Sequence, residues 1–439
     1  MSHEFAIRIF ALIPMGVAVW FVPTHWAGVL ILYLSAEIVS HDRLIQDDRK
    51  LLVIAIGTVA IHGCAAVVDA LWWPIPVAQP DPDTFFRVAS QIANRGDFVL
   101  GIDYVFFENV LALFHVVGGN SRLLGNALSV FWYAGSCIIL MRLIRVLGID
   151  RYRYGLLIGF GLLPSALLLR AMTLRESWLL FLFMVVIYGV WRLAREGKGW
   201  KDIAMLAVAL SGLAMLHKVF IVYIVVLIPM LCVFIAGEAG IKRPNRYRLL
   251  QVSVIVGIAL AIGYVVATTN SGQIVTQIFD KGVVETIRDY RQDVDRLGAP
   301  RTAFNIPFDT SSFAATAKTA SRIYGHYLLA APLRFQPDAR DIYALMEGLL
   351  RIVLLIAAVA AVVSRPARVP CRYGILLMAI YVSLTCVWAV GTTNYGQAIR
   401  HHLLTNWIIL LLGYPLIAEL WHRAGHAVGL RWRGLEVRK

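Results

Sequence analysis

The chain of 439 residues is 59% hydrophobic and only 15% charged, which is more apolar surface than a soluble domain can bury. Its formal net charge of +14 would suit nucleic acid only if the basic residues clustered on one folded face, whereas they occupy short segments between apolar runs. We therefore expect a multi-pass membrane protein, with membrane lipids around its apolar helices and no nucleic-acid partner.

Apolar runs that approach or reach the length of a membrane span recur along the whole chain. A spanning helix needs about 20 mostly apolar residues. The predicted spans include residues 5–22, 51–73, 123–141, 154–170, 178–191, 203–215, 219–235, 250–268, 349–363, 373–390 and 403–420. The first run lacks a small-residue cleavage site and continues into a second run, so we expect it to stay as a helix.

The distribution of Lys and Arg orients these helices, because short cytoplasmic loops are enriched in both residues. Five basic segments mark the cytoplasmic side: residues 142–153, 192–201, 242–248, 365–372 and 423–439. The intervening helices alternate without conflict, which predicts an all-α polytopic membrane protein of about 12 transmembrane helices with both termini in the cytoplasm. The runs 84–94 and 106–117 would form a pair of interfacial helices on the outer leaflet.

This topology divides the chain into six regions. They are N-terminal helices (1–75), an outer loop with the interfacial helices (76–122), a transmembrane core (123–268), a second outer loop (269–346), C-terminal helices (347–420) and a basic cytoplasmic tail (421–439). The five cysteines lie in or beside apolar runs, so neither a disulfide nor a thiolate metal site is expected.

The first outer loop opens with the acidic motif D-P-D. On an extended segment, Asp81 and Asp83 would point to the same side, with Pro82 stiffening the link between them. Such a pair can act as a general base or hold a cation that bridges phosphate oxygens. The alternative is that Asp83 is the N-cap of a helix that starts at Thr84, and both interpretations can hold together.

Charged residues next to apolar runs are costly and often mark function. Arg170 and Arg175 lie in the short outer segment RAMTLRE, and His217 and Lys218 interrupt a second outer turn. Arg175 opposes the dipole of the helix that begins near it, whereas Glu176 favours it. Because Arg grips phosphate with two parallel hydrogen bonds, Arg175 suits a diphosphate headgroup, although simple snorkelling at the interface is an equal alternative.

The last outer segment, GTTNYGQAIRHH, places Arg400, His401 and His402 at the outer end of the final helix. Adjacent residues on a helix point about 100° apart, so a metal shared by the two histidines is not expected. Proton transfer by one histidine is favoured over a shared metal, and a lipid-headgroup contact over both.

The long outer segment 269–341 is interpreted as a cover over the site. Its basic residues outside the cytoplasm break the usual charge bias, which an anionic ligand would explain. Surface ion pairs to Asp293, Asp295, Asp338 and Asp341 explain it equally well. The basic residues in question are Arg301, Arg322, His326, Arg334 and Arg340.

The order of these elements resembles the C-type glycosyltransferase superfamily, in which an outward helix ends in an acidic motif and is followed by two short outer helices. Within that group, the L-R-E-S turn at Arg175–Glu176 and the stretch N-Y-G-x-A-x-R-H ending at His401 look like Wzy- and EpsG-type polymerases of bacterial surface polysaccharides. The resemblance covers most of the chain as a pattern. It implies a site on the periplasmic side of the bacterial inner membrane.

The resemblance also implies roles for individual residues. Asp83, helped by Asp81, would match the acidic residue that acts as base on the acceptor hydroxyl or aids metal binding, and Arg175 and Arg400 would hold the lipid diphosphate. The substrate would be a saccharide on a polyprenyl-phosphate lipid carrier, no cofactor or metal is assigned, and other polysaccharide-assembly proteins are possible partners. Candidate catalytic residues are Asp83, Asp81, Glu176 and His401; candidate substrate-binding residues are Arg175, Arg170, His217, Lys218, Arg301, Arg334 and Arg400.

Three other functions stay open at this stage. A transferase that adds one sugar from a polyprenyl-phosphate donor would share the same architecture. A transporter or flippase of lipid-linked saccharide predicts inverted repeats, broken helices and charges at the membrane midplane, and the sequence shows no convincing repeat. A non-catalytic membrane scaffold would tolerate replacement of the outer acidic and basic residues.

Overall fold

The computed structural model describes residues 23–75, 81–99, 101–196, 200–238, 282, 285, 288–289, 291, 304, 306–330, 339–364 and 371–436. Helices account for the regular structure of these residues, with short 3-10 turns at Pro23–His25 and Asp150–Tyr152. The helices are α1 (Trp26–Ser40), α2 (Arg43–Gln46), α3 (Arg49–Leu71), α4 (Asp81–Arg95), α5 (Tyr104–Gly118), α6 (Arg122–Val146), α7 (Arg153–Leu162), α8 (Pro164–Leu169), α9 (Glu176–Glu196), α10 (Trp200–Leu216), α11 (Lys218–Glu238), α12 (Phe313–Leu329), α13 (Ala339–Val363), α14 (Cys371–Gly391), α15 (Tyr395–His402) and α16 (Asn406–Glu436).

Five of the described helices, α3, α6, α9, α13 and α14, contain a stretch long and apolar enough to cross a membrane. A sixth span results if the bent pair α15 and α16 counts as one. One face of α13 exposes apolar side chains such as Met346, Val353 and Ile356, which suits contact with lipid. The predicted all-helical architecture is therefore confirmed for the described residues, five or six of whose helices could span a membrane; twelve spans and the orientation of the termini stay predictions. The predicted spans 5–22 and 250–268 lie outside the described residues.

Ion pairs mark the end of the bundle at which the basic segment 142–153 lies. Arg142 Nη2 lies 2.9 Å from Asp42 Oδ2, Arg153 pairs with Asp48, and Arg151 pairs with Glu419 at the start of the basic tail. From this end, the 23 residues of α3 run about 35 Å to the opposite end. The segment 142–153 and Glu419, which precedes the basic tail, therefore lie at the same end of the bundle.

The predicted span 154–170 is not one helix, and this prediction was wrong. It divides at Leu163 into α7, which ends at Leu162, and α8, which begins at Pro164. Proline has no N–H and cannot donate to the carbonyl of Phe160 four residues earlier. Arg170 Nη1 supplies the missing hydrogen bond at 2.8 Å, so this buried guanidinium holds the broken helix together from within the core.

The acidic motif also adopts another conformation than the sequence suggested. Asp81 and Asp83 lie in the first turn of α4, and not on an extended segment or at the cap of a helix beginning at Thr84. Residues two apart on a helix point about 200° apart, so the two carboxylates face different neighbours. The short helices α4 and α5 match the predicted interfacial pair in position, and Phe107 of α5 packs edge-on against Trp178 of α9 with ring centres 5.5 Å apart.

Candidate functional site

Arg400 joins three parts of the chain at the end of the bundle opposite the basic segments. It lies on the short helix α15, which makes an angle of 65° with α16. The expectation that Arg400 lies at the end of the final helix was therefore wrong. Its Nε and Nη2 donate to Glu176 Oε1 at 3.0 and 2.6 Å, and its Nη1 pairs with Asp81. Arg400 therefore connects the first residue of α4 to the first residue of α9.

A second arginine lies one residue before Glu176. Arg175 pairs with Asp103, donates to the carbonyl of Leu216 at 3.2 Å, and places its guanidinium carbon 4.0 Å from the ring centre of Tyr104. Lys218 Nζ lies 3.9 Å from the same Asp103 carboxylate. The buried Arg175 therefore ties the start of α9 to the turn between α10 and α11.

Asp103 was not predicted from the sequence. It is a non-glycine residue with φ of 64°, a left-handed conformation that costs free energy unless the surroundings impose it. Its N–H donates to the carbonyl of Met215 at 2.7 Å, and its carboxylate receives Arg175 and Lys218. These contacts impose the strained backbone and place Asp103 just before α5, where no local sequence signal marks it.

Two histidines flank Trp388 of α14 beside these arginines. The ring of His401 stacks on the indole with centres 3.8 Å apart, and the ring of His217 meets it edge-on at 4.7 Å. Burial, followed by the nearby charges of Arg175 and other cations, holds the pKa of His217 well below its usual value. His217 is therefore a neutral imidazole in a cationic neighbourhood.

The charges of this arginine–carboxylate cluster balance: three cations face three carboxylates. The cluster consists of Asp81, Asp103, Arg175, Glu176, Lys218 and Arg400. The two carboxylates that contact Arg400 differ in solvent exposure: the side chain of Glu176 is 4% exposed and that of Asp81 is 39% exposed. A phosphate approaching Arg400 would therefore meet Asp81 as the displaceable partner.

Asp83 belongs to a different group of contacts. It pairs with Arg122 at the start of α6, and Arg122 Nε also donates to the buried Asp69 of α3 at 3.2 Å. Asn126 donates to Asp69 at 2.9 Å and accepts from Thr173 at 2.8 Å. The structure thus brings Asp81 to Arg400 and Glu176, while Asp83 anchors α4 to the neighbouring helices.

Another buried ion pair, which was not predicted from the sequence, lies inside α13. Arg351 Nη2 lies 3.3 Å from Glu347 Oε1, donates through Nη1 to the carbonyl of Leu328 at 2.7 Å, and reaches Asn406 through Nε at 3.2 Å. Glu347 accepts from the N–H of Ser165 at 2.8 Å. An acid and a base four residues apart in an apolar helix were the available signal.

Described parts of the predicted cover lie on the turn before α15. Arg291 Nη1 donates to the carbonyls of Val390 and Thr392 at 3.1 and 3.2 Å, and Phe304 packs on Tyr395 with ring centres 4.9 Å apart. His326 Nδ1 lies 2.9 Å from the Tyr395 hydroxyl. The candidate ligands Arg301 and Arg334 lie outside the described residues, as does the side chain of Arg340.

The remaining histidine of the pair faces elsewhere. His402 Nε2 donates to the carbonyl of Tyr327 on α12 at 2.8 Å, whereas the ring of His401 packs on Trp388 of α14. Among the described residues, no group of three or more His, Cys, Asp or Glu side chains is placed to hold a metal ion.

No protein-family model, curated protein or solved structure matches this chain. Its function is therefore inferred from the residues described above.

Proposed function

We propose that the protein is a glycosyltransferase of the bacterial inner membrane that joins saccharide units carried on polyprenyl diphosphate at the periplasmic face, as a polysaccharide polymerase does. The observation that carries this proposal is the convergence on Arg400 of Asp81 and Glu176, with Arg175, His217 and His401 beside them. Three guanidinium or ammonium groups at one end of an apolar bundle suit a substrate that pairs a diphosphate with a lipid tail.

The exchange of Asp81 for phosphate would couple binding to chemistry. A diphosphate oxygen replaces Asp81 on Arg400, while the more buried Glu176 stays in place. The released Asp81 carboxylate then accepts the proton of the acceptor hydroxyl. The acceptor oxygen bonds to the anomeric carbon, the bond from that carbon to the diphosphate oxygen breaks with its electron pair, and Arg175 and Arg400 stabilise the departing diphosphate.

This proposal assigns the proton-accepting role to Asp81 and not to Asp83. The support is positional: Asp81 contacts Arg400, whereas Asp83 contacts Arg122. Glu176 would hold Arg400 in place without touching the reacting atoms.

The test combines a chromosomal deletion with matched variants of the two aspartates. We expect the deletion to abolish a surface polysaccharide and to accumulate lipid-linked single repeat units; glycans that lack one sugar in the deletion strain would instead indicate a single-sugar transferase. Asp81→Asn should reproduce the deletion at normal protein level, and Asp83→Asn serves as the comparison. Loss of polymer in the Asp83 variant alone would return the base to Asp83, and normal polymer in the deletion strain would refute the proposal.

A second candidate, translocation of lipid-linked saccharide, is favoured by three features of the fold. The break between α7 and α8, the 65° bend between α15 and α16, and the ion pair Glu347–Arg351 inside α13 are features typical of transporters. A translocase defect leaves the lipid-linked units on the cytoplasmic side, whereas a transferase defect leaves them on the periplasmic side. Their accessibility to a membrane-impermeant glycosidase in intact spheroplasts separates the two.

A further inference from the structure

The protonation of His217 follows from its place before α11. The first N–H groups of a helix lack intrahelical acceptors, and Val219 N donates to His217 Nδ1 at 3.2 Å. A backbone N–H can only donate, so Nδ1 must carry a lone pair and the ring proton of the neutral imidazole sits on Nε2. His217 therefore acts as an N-cap, and its Nε2–H remains a donor.

His401 has the opposite arrangement, because of Thr392. The Thr392 hydroxyl donates its single proton to the carbonyl of Trp388 at 2.7 Å, since a carbonyl can only accept. The same hydroxyl oxygen lies 2.9 Å from His401 Nδ1, so that Nδ1 must be the donor in this contact. His401 Nε2 is consequently an acceptor, and none of the described residues forms a hydrogen bond with it.

We infer that His217 and His401 form a neutral donor–acceptor pair that binds one hydroxyl group of a saccharide. The two ring centres are 6.5 Å apart, and hydrogen bonds of about 2.8 Å let one hydroxyl oxygen reach both rings across such a gap. His217 Nε2–H donates to that oxygen, and the hydroxyl proton points to His401 Nε2.

The surroundings keep both rings in this neutral state. Protonation of His217 would remove the acceptor of the Val219 N–H and place a cation at a helix N-terminus, where the dipole disfavours it. Arg175, Arg400 and Lys218 add like charges. His401 would meet the same two guanidinium groups if it took a proton, so the bound hydroxyl keeps its proton and the pair positions the saccharide. Asp81 accepts the proton of a different hydroxyl of that saccharide.

This inference deepens the proposed function, on which it rests for one point only: that the hydroxyl belongs to the acceptor saccharide. Two arginines beside a hydroxyl-binding pair would hold a phosphate and a sugar in one site. Thr392 is then a positioning residue, since it selects the tautomer of His401 without touching the saccharide.

The test is nitrogen NMR of the full chain, labelled with 15N-histidine and reconstituted in lipid nanodiscs, with assignments from His217→Gln and His401→Gln. We expect an Nε2–H tautomer for His217 and an Nδ1–H tautomer for His401. Titration with the methyl α-glycosides of glucose, galactose and mannose should shift the Nε2 signals of both rings for at least one sugar. Each glutamine variant should abolish the shift of the other ring.

Thr392→Val removes the acceptor of His401 Nδ1–H, so His401 should shift toward the Nε2–H tautomer and glycoside binding should weaken at least tenfold. Thr392→Ser keeps the hydroxyl and should restore both. Reversed tautomers in the wild type, or no response to any of the three glycosides, would overturn the inference. Glycoside shifts together with normal polysaccharide in the deletion strain would refute the proposed function and leave the hydroxyl-binding pair intact.

Discussion

The two carboxylates on Arg400 should differ greatly in their contribution to stability. Glu176 and Arg400 are both buried, with side chains 4% and 11% exposed, whereas the side chain of Asp81 is 39% exposed. Glu176→Ala leaves a buried guanidinium with only its more exposed partner. Asp81→Ala leaves the buried pair intact.

The expected magnitudes follow from burial. Removing one partner of a buried ion pair costs about 3–5 kcal/mol, because the other charge stays desolvated. A solvent-exposed pair contributes about 0–1 kcal/mol. Glu176→Ala should therefore lower the free energy of unfolding by roughly 3 kcal/mol more than Asp81→Ala does. The double variant Glu176→Leu with Arg400→Met should regain most of the loss, because apolar side chains replace the pair.

Denaturant titration of the purified protein in mixed micelles measures these differences, with Asp81→Ala as the matched control. Equal costs for the two carboxylates, or a Glu176→Ala variant within 1 kcal/mol of the wild type, approximately the exposed-pair limit, would refute the assignment of Glu176 as the structural partner. The same preparations then separate stability from function. Asp81→Asn should fold normally and lack activity.

Three further predictions concern other parts of the fold. Arg170→Leu should cost about 1–3 kcal/mol in the same titration, and less in a Pro164→Ala background, where the restored N–H can satisfy the carbonyl that Arg170 now serves. The pKa of His217 is lower in the folded protein than its usual 6.5, so the unfolded chain binds a proton first as the pH falls. The contribution of His217 to stability should therefore be full above pH 6.5 and decrease below it. His217→Asn should flatten this decrease in thermal denaturation between pH 7.5 and 5. Gly348→Ala would place a Cβ 2.0 Å from a backbone oxygen of α12 and should lower the melting temperature, whereas Gly325→Ala, with nothing within 4 Å, should leave it unchanged or raise it.

The sequence predicted the helices wherever hydropathy and local caps agree. Residues 51–73 were expected to span and form α3, which begins at Arg49 because Asp48 accepts the N–H groups of Lys50 and Leu51. Hydropathy did not predict the break before Pro164, because proline interrupts a helix even within an apolar run. Proline was visible in the sequence, but the side chain that compensates for its missing N–H was not.

The sequence also indicated most of the residues of the arginine–carboxylate cluster. Arg175, Glu176, Lys218 and Arg400 stood out because a charge beside an apolar run is costly. Asp103 did not, because its position depends on a strained backbone that other helices impose.

Pairing within the cluster was decided by the tertiary structure. Asp81 and Asp83 are equivalent in the motif, and only the helical turn and the packing of α4 direct one to Arg400 and the other to Arg122. The contacts of Arg400 join residues 224 and 319 positions apart in the chain. Hydropathy and charge are properties of a segment and survive in the unfolded chain, whereas a partner so distant in sequence exists only after the helices have packed.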